Sequence, residues 1–97
     1  MNIRVTLRHP YILTIGHRRE QIHESEWTVL MALMGAPVVS HAGMLEALWP
    51  GFTITPMDPK DVVRTHISSL RPLLEGHWRI VNIFNRGWYL ERCNAET

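Results

Sequence analysis

Only one cysteine, Cys93, is present in the 97 residues, so the chain can close no internal disulfide and assemble no thiolate metal cluster of its own. A reducing compartment, the cytosol by default, is the expected setting. A membrane-length apolar run is also missing. The longest mostly apolar stretch, Val29 to Val39, falls well short of the ~20 residues that a bilayer span needs. The N-terminus alternates with arginines where a signal peptide would have its apolar core, and no membrane association is expected. Phosphate-cradling glycine loops, nucleophile elbows and paired carboxylates are all wanting, so the chain is read as non-enzymatic, with no catalytic residue and no cofactor. Its six histidines (His9, His17, His23, His41, His66 and His77) lie in different segments without metal-ligand spacing, so no metal site is expected.

Acidic residues are absent from positions 1 to 19, which hold Arg4, Arg8, Arg18 and Arg19. Positions 21 to 61 are acidic, with Glu24, Glu26, Glu46, Asp58 and Asp61 against Lys60. Positions 62 to 92 turn basic again, with Arg64, Arg71, Arg79, Arg86 and Arg92 against Glu75 and Glu91. The formal net charge of +1 therefore conceals segregation along the chain. Lysine is nearly missing, and arginine supplies nine of the ten basic residues. Its planar fork suits phosphate and guanine edges better than an ammonium does.

Apolar residues make up 45% of the chain, which suits one compact domain with a modest core. Ile3, Val5 and Leu7 alternate with Arg4, Thr6 and Arg8, and Tyr11 to Ile15 is β-rich, so two strands are expected. Gly16 to Glu20 reads as a polar turn, with Gln21 to His23 as a short third strand. Ser25 is the expected N-cap of a first helix, whose apolar face would be Trp27, Leu30, Met31 and Met34. Gly35-Ala36-Pro37 stops it. Ser40 should cap a second helix that buries Met44, Leu45, Leu48 and Trp49 before Pro50-Gly51 ends it.

The stretch 50 to 58 is a loop, in which Phe52 and Ile54 are expected to be pinned to the body. Asp58-Pro59 then starts a third helix, spanning 59 to 75. In it Val63, Ile67, Leu70 and Leu74 form one stripe, while Asp61, Thr65, Ser68, Ser69 and Pro72 face away, with Arg64 and Arg71 on one flank. Pro72 should bend or loosen the last turn. A hairpin follows from Trp78 to Ile83 and from Trp88 to Arg92, with its turn at Phe84 to Gly87. The expected unit is α+β: an N-terminal antiparallel sheet (1–23), a three-helix core (24–76), a C-terminal hairpin (77–92) and a tail (93–97). Three helices followed by a hairpin is the winged helix-turn-helix order, in which the third helix enters the major groove and the hairpin is the wing.

The residues themselves resemble the effector domain of OmpR/PhoB-type response regulators. The likeness is carried by Glu26-Trp27-Thr28-Val29-Leu30, by VVSHAGMLEALW at 38–49, by VVRTHISSLRPLLEG at 62–76 and by IVNIFNRGWYL at 80–90. Its segments span residues 26–90, about two thirds of the chain, and are most specific from Val38 to Trp49 and from His66 to Arg71. The resemblance implies duplex DNA binding and transcription control, with loop 50–58 in the place of the family's transactivation loop, which can touch RNA polymerase. The chain departs from the family at several points. Ser68 and Ser69 stand where basic residues are common, Asp61 stands where an arginine is frequent, and Phe84 and Trp88 replace the wing's usual arginine and tyrosine, leaving Arg86 at the tip. With Met1 almost at the first strand, no receiver domain is expected ahead of it, and aspartate phosphorylation is not expected to be the switch within this chain.

The expected DNA-contacting residues are thus Arg64, Thr65, His66, Ser68, Ser69 and Arg71 on the third helix and Asn85 and Arg86 on the wing. Arg71 could instead pair with Glu75 four residues on. His66 lies toward the buried flank, and the four tryptophans are expected to pack the core and hairpin. Tandem or dimeric binding is expected, because a single module buries little surface. Two other functions fit the sequence: an adaptor that binds RNA polymerase or another regulator, and a low-specificity DNA-packaging protein.

Overall fold

A computed structural model describes residues 3–52 and 58–93. The N-terminal strands β1 (Ile3–Val5), β2 (Tyr11–Ile15) and β3 (Arg18–Ile22) form an antiparallel sheet in the order β1-β2-β3. Ile3 pairs with Ile15, Val5 with Leu13 and Tyr11 with Ile22, so one face carries the apolar residues and buries Leu13, Ile15 and Ile22. The alternation foreseen through Arg8 stops at Val5. The Thr6 hydroxyl donates to the Pro10 carbonyl at 3.0 Å and accepts the Ile12 N–H at 2.8 Å, closing a loop that leaves Leu7 73% exposed. The polar turn is shorter than foreseen, because Gly16 at φ 61° lets Gly16-His17 suffice and β3 starts at Arg18.

Helix α1 spans Glu24–Met34, with His23 rather than Ser25 at its N-cap. Glu26 decides this, since its Oε1 accepts the His23 N–H at 2.9 Å and satisfies the start of the helix. Glu26 is itself buried, so Glu26→Ala should cost about 1–2 kcal/mol in urea unfolding. An unchanged midpoint would count against this cap. The buried face is Glu26, Val29, Leu30 and Leu33, shared only at Leu30 with the stripe read from the sequence. The helix has two apolar sides. Val29 to Leu33 meet the other helices and the C-terminal hairpin, whereas Trp27 faces the sheet, stacking on Tyr11 at 4.4 Å and donating to the Thr6 carbonyl at 3.0 Å. Met34 is left 43% exposed.

Strand β4 (Val39–Ser40) leads into α2 (His41–Leu48). As expected, Ser40 caps α2, its Oγ accepting the Gly43 N–H at 2.9 Å. Met44 is fully buried, and Leu45, Leu48 and Trp49 pack partly against the core. A short 3₁₀ turn, Pro50–Phe52, follows with Gly51 at φ 76°. The anchoring expected of Phe52 and Ile54 lies outside the described residues, as does the tail beyond Cys93.

Helix α3 spans Pro59–Leu74, with Asp58 as its cap and Pro59 at its first position. Val63, Ile67, Leu70 and Leu74 are buried, as the period requires. The helix continues through Pro72 to Leu74, one residue short of the expected end. The missing N–H at Pro72 falls in the last turn, where little helix remains to be disrupted. Its carbonyl accepts from the Arg18 guanidinium at 3.2 Å. Strands β5 (Trp78–Ile83) and β6 (Gly87–Arg92) form the hairpin, and β4 adds to its other side in the order β4-β6-β5. The described residues thus make a compact α+β unit of three helices and two small antiparallel sheets around one core. Among them no helix is long and apolar enough to cross a membrane.

Candidate nucleic-acid interface

The buried stripe of α3 forces the rest of its surface outward, so Arg64, Thr65, Ser68, Ser69 and Arg71 are exposed and His66 is half-buried. The exposed residues are not equally available. The Thr65 hydroxyl donates to the Asp61 carbonyl at 2.9 Å, which leaves it only as an acceptor. Arg64 meets Asp61 at 3.4 Å, with both side chains largely in water, a pair weak enough to be exchanged for another anion. Arg71 makes no ion pair with Glu75 among the described residues. It reaches across to β5 instead, and its Nη2 donates to the Ile80 carbonyl at 3.1 Å in a partly buried bond.

Between α3 and the hairpin lies a hollow of about 170 Å³, with Ile67 and Trp88 against Lys60, Arg64, Arg71, His41 and Asn82. Three cations converge there. Lys60, Arg64 and Arg71 follow one another at four and seven residues, which returns each to within roughly 40° of the first on a helix. Sequence reasoning placed Arg64 and Arg71 on this flank and missed Lys60, although that spacing was its signal. His41 and Asn82 come from α2 and β5, and no spacing along the chain announces them. The His41 ring packs edge-on against Trp88 at 4.6 Å.

Ser68 lies elsewhere. It lines a second hollow, of about 440 Å³, with Arg71, Glu75, Trp78, Arg79 and Cys93. Arg79 is not a free cation there. It faces Glu91 directly across the hairpin at 2.6 Å, and that hydrogen bond and charge raise its pKa further above the ordinary arginine value. At the hairpin tip the Arg86 N–H closes the turn on the Ile83 carbonyl at 2.9 Å, Asn85 takes φ 61°, and Phe84 is 87% exposed. Arg86 and Asn85 project with it into solvent. Of the expected site residues, Arg64 and Arg71 line the basic hollow, Ser68 and Arg71 the second hollow, and Asn85 and Arg86 stand at the tip, whereas Thr65, His66 and Ser69 line neither hollow.

The Arg71 bond separates two kinds of arginine. Arg71→Ala should lower stability by about 1–2 kcal/mol, since it leaves a partly buried carbonyl without its donor. Arg86→Ala should leave stability within about 0.5 kcal/mol of the parent, with the thermal midpoint nearly unchanged. Equal midpoints for the two variants would mean that the Arg71 contact carries no weight. Among the described residues no cluster of His, Cys, Asp and Glu could hold a metal ion. Compared with protein-family models and with curated proteins, the chain matches none.

Proposed function

We propose that the chain is a winged helix-turn-helix DNA-binding regulator, with α3 as its recognition helix and the β5–β6 hairpin as its wing. The observation that carries this reading is the convergence of Lys60, Arg64 and Arg71 on one hollow between the two elements. A phosphate has the size and charge to sit among three such donors, and a duplex backbone presents phosphates in series. The likeness to OmpR/PhoB-type effectors and the element order support the same reading. Arg64 and Thr65 then face the groove, and Arg86 reaches the neighbouring backbone or minor groove.

A low-specificity DNA-packaging role is the second reading, favoured by the scarcity of base-reading groups. Thr65 is committed to Asp61, and Ser68 and Ser69 are short. The test is fluorescence anisotropy on random duplexes and on duplexes enriched from genomic fragments, at 50 mM salt. A preference of about a thousandfold or more for enriched sites supports the regulator, whereas equal binding with a steep salt dependence supports packaging. No binding to either set removes both.

A further inference from the structure

We infer that the outer face of the N-terminal sheet is a second contact for duplex DNA, made by Arg4 and Arg19, so that one copy of the chain holds two duplex segments. This rests on the reading of α3 and the hairpin as the first contact.

The strand register places Arg4, Thr14 and Arg19 opposite one another in a single row across β1, β2 and β3. The flanking rows, Ile3-Ile15 and Val5-Leu13, point into the core, so this row points out. Arg4 and Arg19 are exposed, and neither has an ion pair among the described residues. Their neighbour Arg18 differs. It lies in the row of Ile15, pairs with Glu20 at 3.3 Å and donates to the Pro72 carbonyl. The next row on this face holds Ile12 and Gln21, and neither row contains an acid.

A charge of either sign protects an edge strand from pairing with another chain. Here both edges carry the same sign in one row, with no acid in that row, so an anion lying across the sheet can meet both. The two arginines stand two strand spacings apart, about 10 Å. A duplex offers one phosphate per ~3.4 Å of axis on each strand, so several registers satisfy both guanidinium groups and none is selected by sequence. Leu13 and Ile15 of the sheet and Ile67 and Leu70 of α3 enter one core, and Arg18 on the inward face of the sheet reaches the Pro72 carbonyl of α3. The Arg4–Arg19 row lies on the opposite face of the sheet from that contact, so a duplex lying on α3 leaves it open.

The experiment is a two-duplex capture. Parent and the double variant Arg4→Gln/Arg19→Gln are loaded on a bead-bound duplex, and retention of a second, fluorescent duplex is read at 50 mM salt, with single-duplex affinity measured on the same preparations. The parent should retain the second duplex. The double variant should keep single-duplex affinity within about threefold and lose at least fivefold in retention. Equal retention by both proteins would overturn the inference, because the second duplex would then be held by a second copy. So would a parent that binds one duplex and retains no other, or one that captures phosphatidylserine vesicles but no second duplex. A parent that binds no duplex at all sinks the proposed function together with this extension of it.

Discussion

Gly87→Ala should unfold much of the molecule's stability margin, by about 4 kcal/mol or more, a loss of roughly 20 °C in thermal midpoint for a domain of this size. A Cβ at residue 87 would stand 1.9 Å from the Val39 carbonyl oxygen and 2.8 Å from the Ser40 Cα, and the backbone there has φ 146°. Both obstacles are main chain, so no side-chain rotation relieves them. Either β4 leaves β6 or the tip end of the hairpin shifts. Gly76→Ala is the matched control. Its φ is 89°, but nothing lies within 4 Å of the added carbon, so it should cost only the backbone strain, about 1–2 kcal/mol. Similar midpoints for the two variants would mean that the approach of β4 to Gly87 is not as close as described.

The double variant Lys60→Ala/Arg64→Ala should bind duplex DNA roughly thirty- to a hundredfold more weakly at 50 mM salt and should flatten the salt dependence by about two units of log–log slope. Each lost phosphate contact releases one fewer counterion on binding. Between 50 and 200 mM salt the gap between parent and variant should therefore narrow about twelvefold. Both side chains lie at the surface, and among the described residues Arg64 has only its exposed partner Asp61, so stability should stay within about 0.5 kcal/mol of the parent. A variant that is weaker by the same factor at every salt concentration would point to lost base reading or altered shape, and the phosphate hollow would be the wrong assignment.

What could be read from the chain depended on how many neighbours each element has. The α3 stripe was legible because the helix is buried on one side only, and burial of Val63, Ile67, Leu70 and Leu74 follows the 3.6 period without ambiguity. The face of α1 was misread because Trp27 stacks on Tyr11 of the sheet while Val29 and Leu33 are buried in the core on other sides of the helix. A helix with two apolar sides has no single stripe to find. Strand β3 was hidden for a related reason: its inward positions include Arg18 and Glu20, which pair with each other at the sheet edge and break the expected alternation. In the site, Arg71 was read as a DNA contact or as a partner of Glu75, and only the packing of β5 against α3 reveals its bond to Ile80. His41 and Asn82 reach the same hollow from two other elements, and no local rule joins them to it.

Ser40 serves two structures at once, as the N-cap of α2 and as the partner of Gly87 in the C-terminal hairpin. During synthesis the hairpin is the last described element to leave the ribosome, so α2 begins with its capping serine in a segment whose strand partner does not yet exist. The helices and the N-terminal sheet can collapse early, but the closing step waits until β6 has been made. Nascent chains arrested before Gly87 should accordingly show slow amide protection around Val39 to Gly43, with full protection arriving only when β6 has been made.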